Sequence, residues 1–224
     1  MTIYKNILSI DTSLHQTSIS LFYKNNIQSK SKKCDYNHEK HILKILHKLL
    51  LINNFTIKDF HFISFTTGPG NFTGIRLGIN IAQGLSIPYN IPLIGISTLK
   101  ILAEQCWRRY KFKKIIVCNL ANKKKVYWAQ YIRNDFNVWE KKGKEELLNI
   151  KNMNYKIEYL KENWNVIGSG IMHIKNKNNP FLNIISITES HSQDLIPLTI
   201  IEIQKKNFFT LNNIKLNYLN NLDY

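Results

Sequence analysis

The chain has 224 residues, 44% of them hydrophobic, and its 31 Lys and Arg outnumber 15 Asp and Glu to leave a formal net charge of +16. That length gives room for one large domain or two small lobes with real cores. With no uninterrupted apolar run of about 18 residues, the sequence argues against a membrane-spanning helix. The first residues, Met1-Thr2-Ile3-Tyr4-Lys5, run directly into a strand-like Ile7-Leu8-Ser9-Ile10 and offer no signal-peptide cleavage site. Cys34, Cys106 and Cys118 are widely spaced and odd in number, as expected of reduced, structural thiols in a cytoplasmic protein. The charge is nearly all Lys and accompanies abundant Asn and Ile, residues with AT-rich codons, so charge alone does not establish a nucleic-acid binder.

Lys5 to Ile10 reads as a buried strand ending in Asp11-Thr12-Ser13. A second strand, Thr17 to Tyr23, alternates Ile19 and Leu21 against Ser18 and Ser20; Asn25-Asn26 signals a turn, and Ile27 to Lys33 a third, more exposed strand. Helix signals begin near Asn37-His38-Glu39, and Ile42, Ile45, Leu46, Leu49 and Leu50 follow at the helical period until Asn53-Asn54. A linker, Thr56 to Phe60, leads to the strand Phe62 to Thr67. The loop Gly68-Pro69-Gly70-Asn71 and a helix to about Ile87 come next, then a strand, Leu93 to Ile96, and a helix from Thr98 to about Tyr110 capped by Ser97. This βββαβαβα order predicts an α/β lobe with a mixed sheet over residues 1–110.

Residues 111–224 read as a smaller, less regular lobe. Lys114 to Cys118 and Val126 to Ile132 are strands flanking a turn. Asn134 to Tyr159 is polar and weakly periodic, with a helix expected around Lys144 to Ile150. Trp164 to Ile167 is a strand ending at Gly168-Ser169-Gly170, Ile184 to Ile187 is a short strand, and Gln193 to Gln204 a helix. Asn207 to Tyr224 carries no strong signal.

The strongest motif is Gly68-Pro69-Gly70-Asn71-Phe72-Thr73-Gly74-Ile75-Arg76-Leu77-Gly78. Gly-Pro-Gly predicts a type II turn with Gly70 at positive φ, and Asn71 or Thr73 caps the helix behind it. Gly74, Gly78 and Ala82 recur every fourth residue, so one helix face is nearly bare. Glycine costs a helix about 1 kcal/mol relative to alanine, so such a face implies close approach of another backbone. A phosphate cradle is one reading of the loop; a tight turn with close helix packing explains each glycine without a ligand, and in its sharper form we assign the face to a protein partner. The loop lacks the Gly-Lys-Ser/Thr of a Walker A motif and is not a GxGxxG fingerprint. Asp11-Thr12-Ser13 reads either as a polar strand cap or as an acidic strand end facing a nucleotide phosphate. His38 and His41 stand at i, i+3, a metal-compatible spacing, but no Cys or carboxylate cluster completes a site, and helix-capping or surface roles fit them. No Gly-x-Ser-x-Gly elbow supports a peptidase. Lys123-Lys124-Lys125 reads as a solvated turn. No aromatic–basic motif accompanies the charge, which ranks a direct tRNA-binding reading low.

Ile7-Leu8-Ser9-Ile10-Asp11-Thr12-Ser13, the 68–78 stretch, Ala82-Gln83-Gly84-Leu85 and Ile94-Gly95-Ile96-Ser97-Thr98-Leu99 together resemble the TsaB (YeaZ) family, in order and densely over residues 5–105. The resemblance returns at Val126-Tyr127-Trp128-Ala129 and thins afterwards. It implies an actin-like ATPase fold (ribonuclease H-like), with two lobes of mixed sheets flanked by helices. It also implies a non-catalytic subunit that partners TsaD in forming threonylcarbamoyladenosine at position 37 of tRNAs reading codons that begin with adenine. TsaE is a further partner, tRNA is met through the complex, and a homodimer is the alternative when TsaD is absent. No cofactor of its own is implied: ATP or ADP belongs to the shared interface, and Asp11, Thr12 and Ser13 are the residues the resemblance offers for a nucleotide. The docking residues it implies are His38, His41, Ile42, Ile45, Gly70, Phe72, Thr73, Gly74, Arg76, Gly78 and Ala82, on helices spanning 38–52 and 73–87. After the strand ending at Ile96 the chain reads Ser97-Thr98-Leu99-Lys100, without TsaD's histidine pair. Leu120-Ala121-Asn122 stands where the family carries Asp-Ala-Arg, Asn71 where Ser is usual, and Tyr218-Leu219-Asn220 where a Tyr-Leu-Arg segment is expected. The alternative function is a nucleotide-binding, ATPase-like enzyme acting alone through Asp11 and the 68–74 loop.

Overall fold

The computed structural model describes residues 6–34 and 37–208. The first strands are β1 (Ile7–Asp11), β2 (Gln16–Tyr23) and β3 (Asn26–Lys33), an antiparallel meander in which Leu8 pairs with Leu21 and Ile10 with Ile19. The β2–β3 turn is the two-residue loop Lys24-Asn25, both at positive φ, the hairpin geometry that matches strand twist. Helix α1 (Ile42–Asn53) follows a 3-10 turn over His38–Lys40 and ends at Asn54 in the left-handed conformation. Strand β4 (Phe62–Thr66), helix α2 (Phe72–Ser86) and strand β5 (Leu93–Ile96) complete a five-stranded sheet of order β3-β2-β1-β4-β5, with β1, β4 and β5 parallel. Leu8, Ile10, Ile19 and Leu21 pack with Ile42, Leu46 and Leu49 of α1 and Ile75, Ile79 and Ala82 of α2 in one apolar cluster.

Helix α3 (Thr98–Tyr110) leads to β6 (Lys114–Leu120), β7 (Lys125–Arg133), β8 (Trp139–Lys141), β9 (Glu146–Asn149), α4 (Ile150–Glu158), β10 (Trp164–Ile167) and β11 (Leu182–Ile184). Their sheet runs β11-β10-β6-β7-β8, with β9 also pairing to β7. The helix expected at 144–150 is therefore half strand: Leu148 pairs with Val126, and Asn149 then caps α4 by accepting from Asn152 N–H. The short strand expected at 184–187 lies at 182–184. The core of this sheet is Ile116, Cys118, Val126, Trp128, Met153, Trp164 and Val166.

Helix α5 (Leu195–Gln204) returns to the first sheet, packing on β4, β5 and β1. One compact unit thus comprises the described residues up to Ile101 together with those from Ser190 onward, and the second runs from Leu102 to Glu189. The division expected at residue 110, with all later residues in the second lobe, is corrected on both counts. The reason is visible on β2. Ser18 and Ser20, the polar half of its alternation, are fully buried because Ser18 Oγ accepts from Ser192 N–H and Ser20 Oγ bonds Ser192 Oγ at 2.7 Å. α/β architecture with two mixed sheets flanked by helices is as expected. Tyr218-Leu219-Asn220 lies outside the described residues.

Candidate functional site

The junction between the end of β1 and the start of α2 brings together most residues singled out in the sequence. Asp11, Thr12 and Ser13 are all fully buried. Asp11 Oδ1 accepts from Ser13 N–H (3.0 Å) and Ser13 Oγ (2.7 Å), and its Oδ2 accepts from Ser190 Oγ at 2.6 Å. Both carboxylate oxygens are thus engaged by hydroxyl or amide donors of the same chain, which offsets much of the cost of burying the group. Thr12 Oγ1 donates to the Gly74 carbonyl at 2.7 Å. Asn71 N–H donates to Ser13 O, and Asn71 Oδ1 accepts from Gly74 N–H, so Asn71 is the helix cap.

The bare helix face is filled from within the chain. A Cβ built on Gly70 falls under 3.0 Å from the Ser13 carbonyl, one on Gly74 under 3.0 Å from the Thr12 carbonyl, and one on Gly78 reaches Thr12 Oγ1 at 2.5 Å. Gly74, Gly78 and Ala82 are buried. The backbone that approaches α2 is β1's own end, which corrects the assignment of this face to a partner. The turn differs too. The positive φ falls at Gly68, the Gly68–Pro69 peptide is cis, and Gly70 is demanded by space rather than by backbone conformation.

His38 is equally buried. Its Nδ1 lies 2.7 Å from Thr17 Oγ1 and 3.2 Å from Cys34 Sγ, while its Nε2 has no hydrogen-bond partner and sits where a Gly74 Cβ would meet it at 3.1 Å. Burial pushes the His38 pKa below the usual imidazole value, partly opposed by the charges of Asp11 and Glu39. His41, at the surface end of α1, is also held low, by partial desolvation first and then by Lys32, Lys44 and Lys40. No group of three metal-ligating side chains occurs among the described residues. Ile42 is buried and Ile45 half-buried in the apolar cluster.

A different set is left at the surface. Phe72, Thr73 and Arg76 are exposed at the start of α2, and the Arg76 guanidinium lies 3.8 Å over the Phe72 ring. On α1, Leu43 and Leu51 are exposed, and with exposed His47 they form an i, i+4, i+8 ridge; Ile52 is exposed beside it. Leu51 and Phe72 expose 63% and 52% of their area. Leu43, Leu51 and Ile52 were missed because the helical period directs attention to the buried stripe. Ser190 was missed because nothing local links it to Asp11, 179 positions earlier. At the 120–122 position, Asn122 Oδ1 accepts from the N–H groups of Lys124 and Lys125, building the turn into β7.

Among known proteins, residues 25–168 match the family model described as TsaD: tRNA N6-adenosine threonylcarbamoyltransferase. The tRNA threonylcarbamoyladenosine biosynthesis protein TsaB of Buchnera aphidicola subsp. Acyrthosiphon pisum is 39% identical, covering 96% of this chain and 97% of its own. Its namesake from Buchnera aphidicola subsp. Schizaphis graminum is also 39% identical, over 89% of this chain and 95% of that one. A crystal structure of a Pseudomonas aeruginosa protein, described as uncharacterized with similarity to peptidase YEAZ, superposes with a TM-score of 0.85 at 22% identity. It covers 96% of this chain and 100% of that one, and shows a shared fold. By identity and coverage together, this chain belongs to the TsaB (YeaZ) family.

Proposed function

We propose that this chain is a non-catalytic partner subunit in tRNA threonylcarbamoyladenosine synthesis, docking a TsaD-type transferase through the exposed sides of α1 and α2. The observation that carries the reading is the surface set Leu43, His47, Leu51, Phe72 and Arg76: apolar and aromatic area with an arginine, on two helices whose other faces are committed to the core. Its relatives' name supplies the pathway, and the family model supplies the transferase as the natural partner. TsaE and, without the transferase, a second copy of the chain are further partners of the same face or assembly. We place the protein in the cytoplasm; among the described residues no helix is long and apolar enough to cross a membrane.

The β1–α2 junction does not fit a nucleotide phosphate. Asp11 spends both oxygens on Ser13 and Ser190, Thr12 spends its hydroxyl on Gly74, and the Asn71 and Gly74 amides are taken by Ser13 and Asn71. We assign any ATP or ADP of the assembly to an interface shared with the partner. Non-catalytic status is further supported by Ser97-Thr98-Leu99-Lys100, where the transferase resemblance calls for a histidine pair.

The test is reconstitution. Mixing this chain with its TsaD is expected to give a larger species on size exclusion and, with TsaE, tRNA and an activated threonylcarbamoyl donor, threonylcarbamoylation of the tRNA; the chain alone with the same donor gives none. Leu51→Asp is expected to abolish co-elution without loss of circular dichroism. Full co-elution of a folded Leu51→Asp, Phe72→Ala double variant overturns the assignment of the face.

A further inference from the structure

Helix α4 carries two tyrosines one turn apart, Tyr155 and, at its C-terminal cap, Tyr159. Each exposes 62% of its area, and their rings lie 4.5 Å apart at 43°. They border a cleft of about 630 Å³ between α4 and β10, lined also by Lys142, Lys156, Lys161, Glu162 and the buried Trp164. The helical repeat places Tyr155 and Tyr159 one above the other, and Lys161, just past the end of α4, lines the same cleft.

The acids at the cleft are already committed. Glu162 is held by both Lys114 and Lys142 at 2.6 Å, and these two bonds pull its carboxyl down to about 2. Glu146 is chelated by Lys156 Nζ at 2.9 and 3.0 Å. Exposed Glu158 lies on the same helix. Of the three lysines that line the cleft, Lys142 and Lys156 are held in these ion pairs and Lys161 is in neither, in a chain of net charge +16.

We propose that this cleft binds single-stranded RNA, with unpaired bases stacking on Tyr155 and Tyr159 and a flanking phosphate on Lys161, the lining lysine outside those ion pairs. Exposed tyrosine rings beside lysines match what an unpaired nucleotide presents, a flat apolar face beside a negative charge. A duplex hides its base faces, so the geometry selects for looped or unpaired segments. This contact belongs to the chain itself and does not depend on the transferase docking face, which lies on other helices.

The test uses the full chain without any transferase and a fluorescein-labelled oligoadenylate of about ten nucleotides, followed by anisotropy at low salt. Binding is expected, with log Kd rising against log salt at a slope of about 0.7 for one phosphate contact. Tyr155→Ala with Tyr159→Ala is expected to weaken binding at least about thirtyfold, whereas the corresponding Phe pair retains it. Lys161→Glu is expected to weaken binding and flatten the salt dependence. Both tyrosines are largely exposed, so circular dichroism should be unchanged; Tyr159→Ala, beyond the last helical residue, serves as the second variant if the pair perturbs α4. No binding by the wild-type chain, equal competition by duplex RNA, or unaltered affinity in the folded alanine variants overturns the proposal. Failure of transferase co-elution, by contrast, bears only on the docking face.

Discussion

Gly74→Ala separates the two meanings of the bare helix face most directly. Were that face open to a partner, alanine would stabilise the isolated chain by about 1 kcal/mol through helix propensity alone. Here the new methyl meets the Thr12 carbonyl at a separation real Cβ atoms essentially never show, and His38 stands behind it at 3.1 Å. The obstructing atom is backbone, one residue past the end of central strand β1, so it does not swing aside as a lysine tip would. Forcing a methyl into a packed core costs about 1–3 kcal/mol. Separating the helix from β1 also weakens the bond from Thr12 Oγ1 to Gly74 O, worth about 1 kcal/mol. The propensity gain offsets the last of these, leaving a net loss of about 1–3 kcal/mol. Gly84 is the internal reference: it lies on the same helix, and a Cβ there meets nothing within 4 Å. Gly84→Ala should stabilise by up to about 1 kcal/mol. At about 2–4 °C per kcal/mol for a chain of this size, the two variants should melt about 4 °C or more apart. Far-UV circular dichroism is the appropriate readout, because all four tryptophans (Trp107, Trp128, Trp139, Trp164) lie in the second unit and are remote in sequence from α2. Equal or higher stability of Gly74→Ala than of Gly84→Ala would refute the packing argument.

Ser190→Ala strips Asp11 Oδ2 of its hydroxyl donor and should cost about 1–3 kcal/mol, read as a lower melting temperature, with Ser190→Thr recovering part of it. In the second unit, Glu104 accepts from Arg133 and, at 2.6 Å, from Trp139 Nε1; Glu104→Ala leaves a buried guanidinium unpaired and should cost about 3–5 kcal/mol in an unfolding transition followed by tryptophan fluorescence. His38 sets a pH dependence. Its folded pKa is below the unfolded value of about 6.5, so between the two the unfolded chain takes up a proton that the folded chain refuses. Its contribution is therefore intact above about pH 6.5 and lost as the pH falls towards the folded pKa, with a slope of at most about 1.4 kcal/mol per pH unit that His38→Gln should remove. Burial pushes Cys106 and Cys118 up to about 12, so a thiol reagent at pH 8 should modify them only on unfolding.

The period-2 and period-3.6 patterns were enough to place β1 to β5, α2 and α3 within a residue or two, because each pattern is written in neighbouring positions; α1, expected from 38, begins at Ile42 because His38–Lys40 form a 3-10 turn. The Asn71 cap and the end of α1 at Asn53-Asn54 were legible for the same reason. Near 144–150 a polar, weakly periodic stretch predicts helix; pairing with Val126, a partner some 20 positions away in sequence, makes Glu146–Asn149 a strand instead. The same weak periodicity concealed Tyr155 and Tyr159, since an exposed aromatic pair follows no burial pattern.

The glycine ladder of α2 shows where local information stops. Gly74, Gly78 and Ala82 demand that something come close, and the sequence states that demand unambiguously. What meets it is a matter of tertiary structure: parallel pairing of β1 with β4 lays the end of β1 under α2, so the close neighbour is Thr12. Spacing within a helix records how much room a face has, whereas the occupant of that room is set by strand order and crossover. In the same way Asp11 announced itself as an acid at a strand end, and only the return of the chain at Ser190 determined that its charge is satisfied inside the fold.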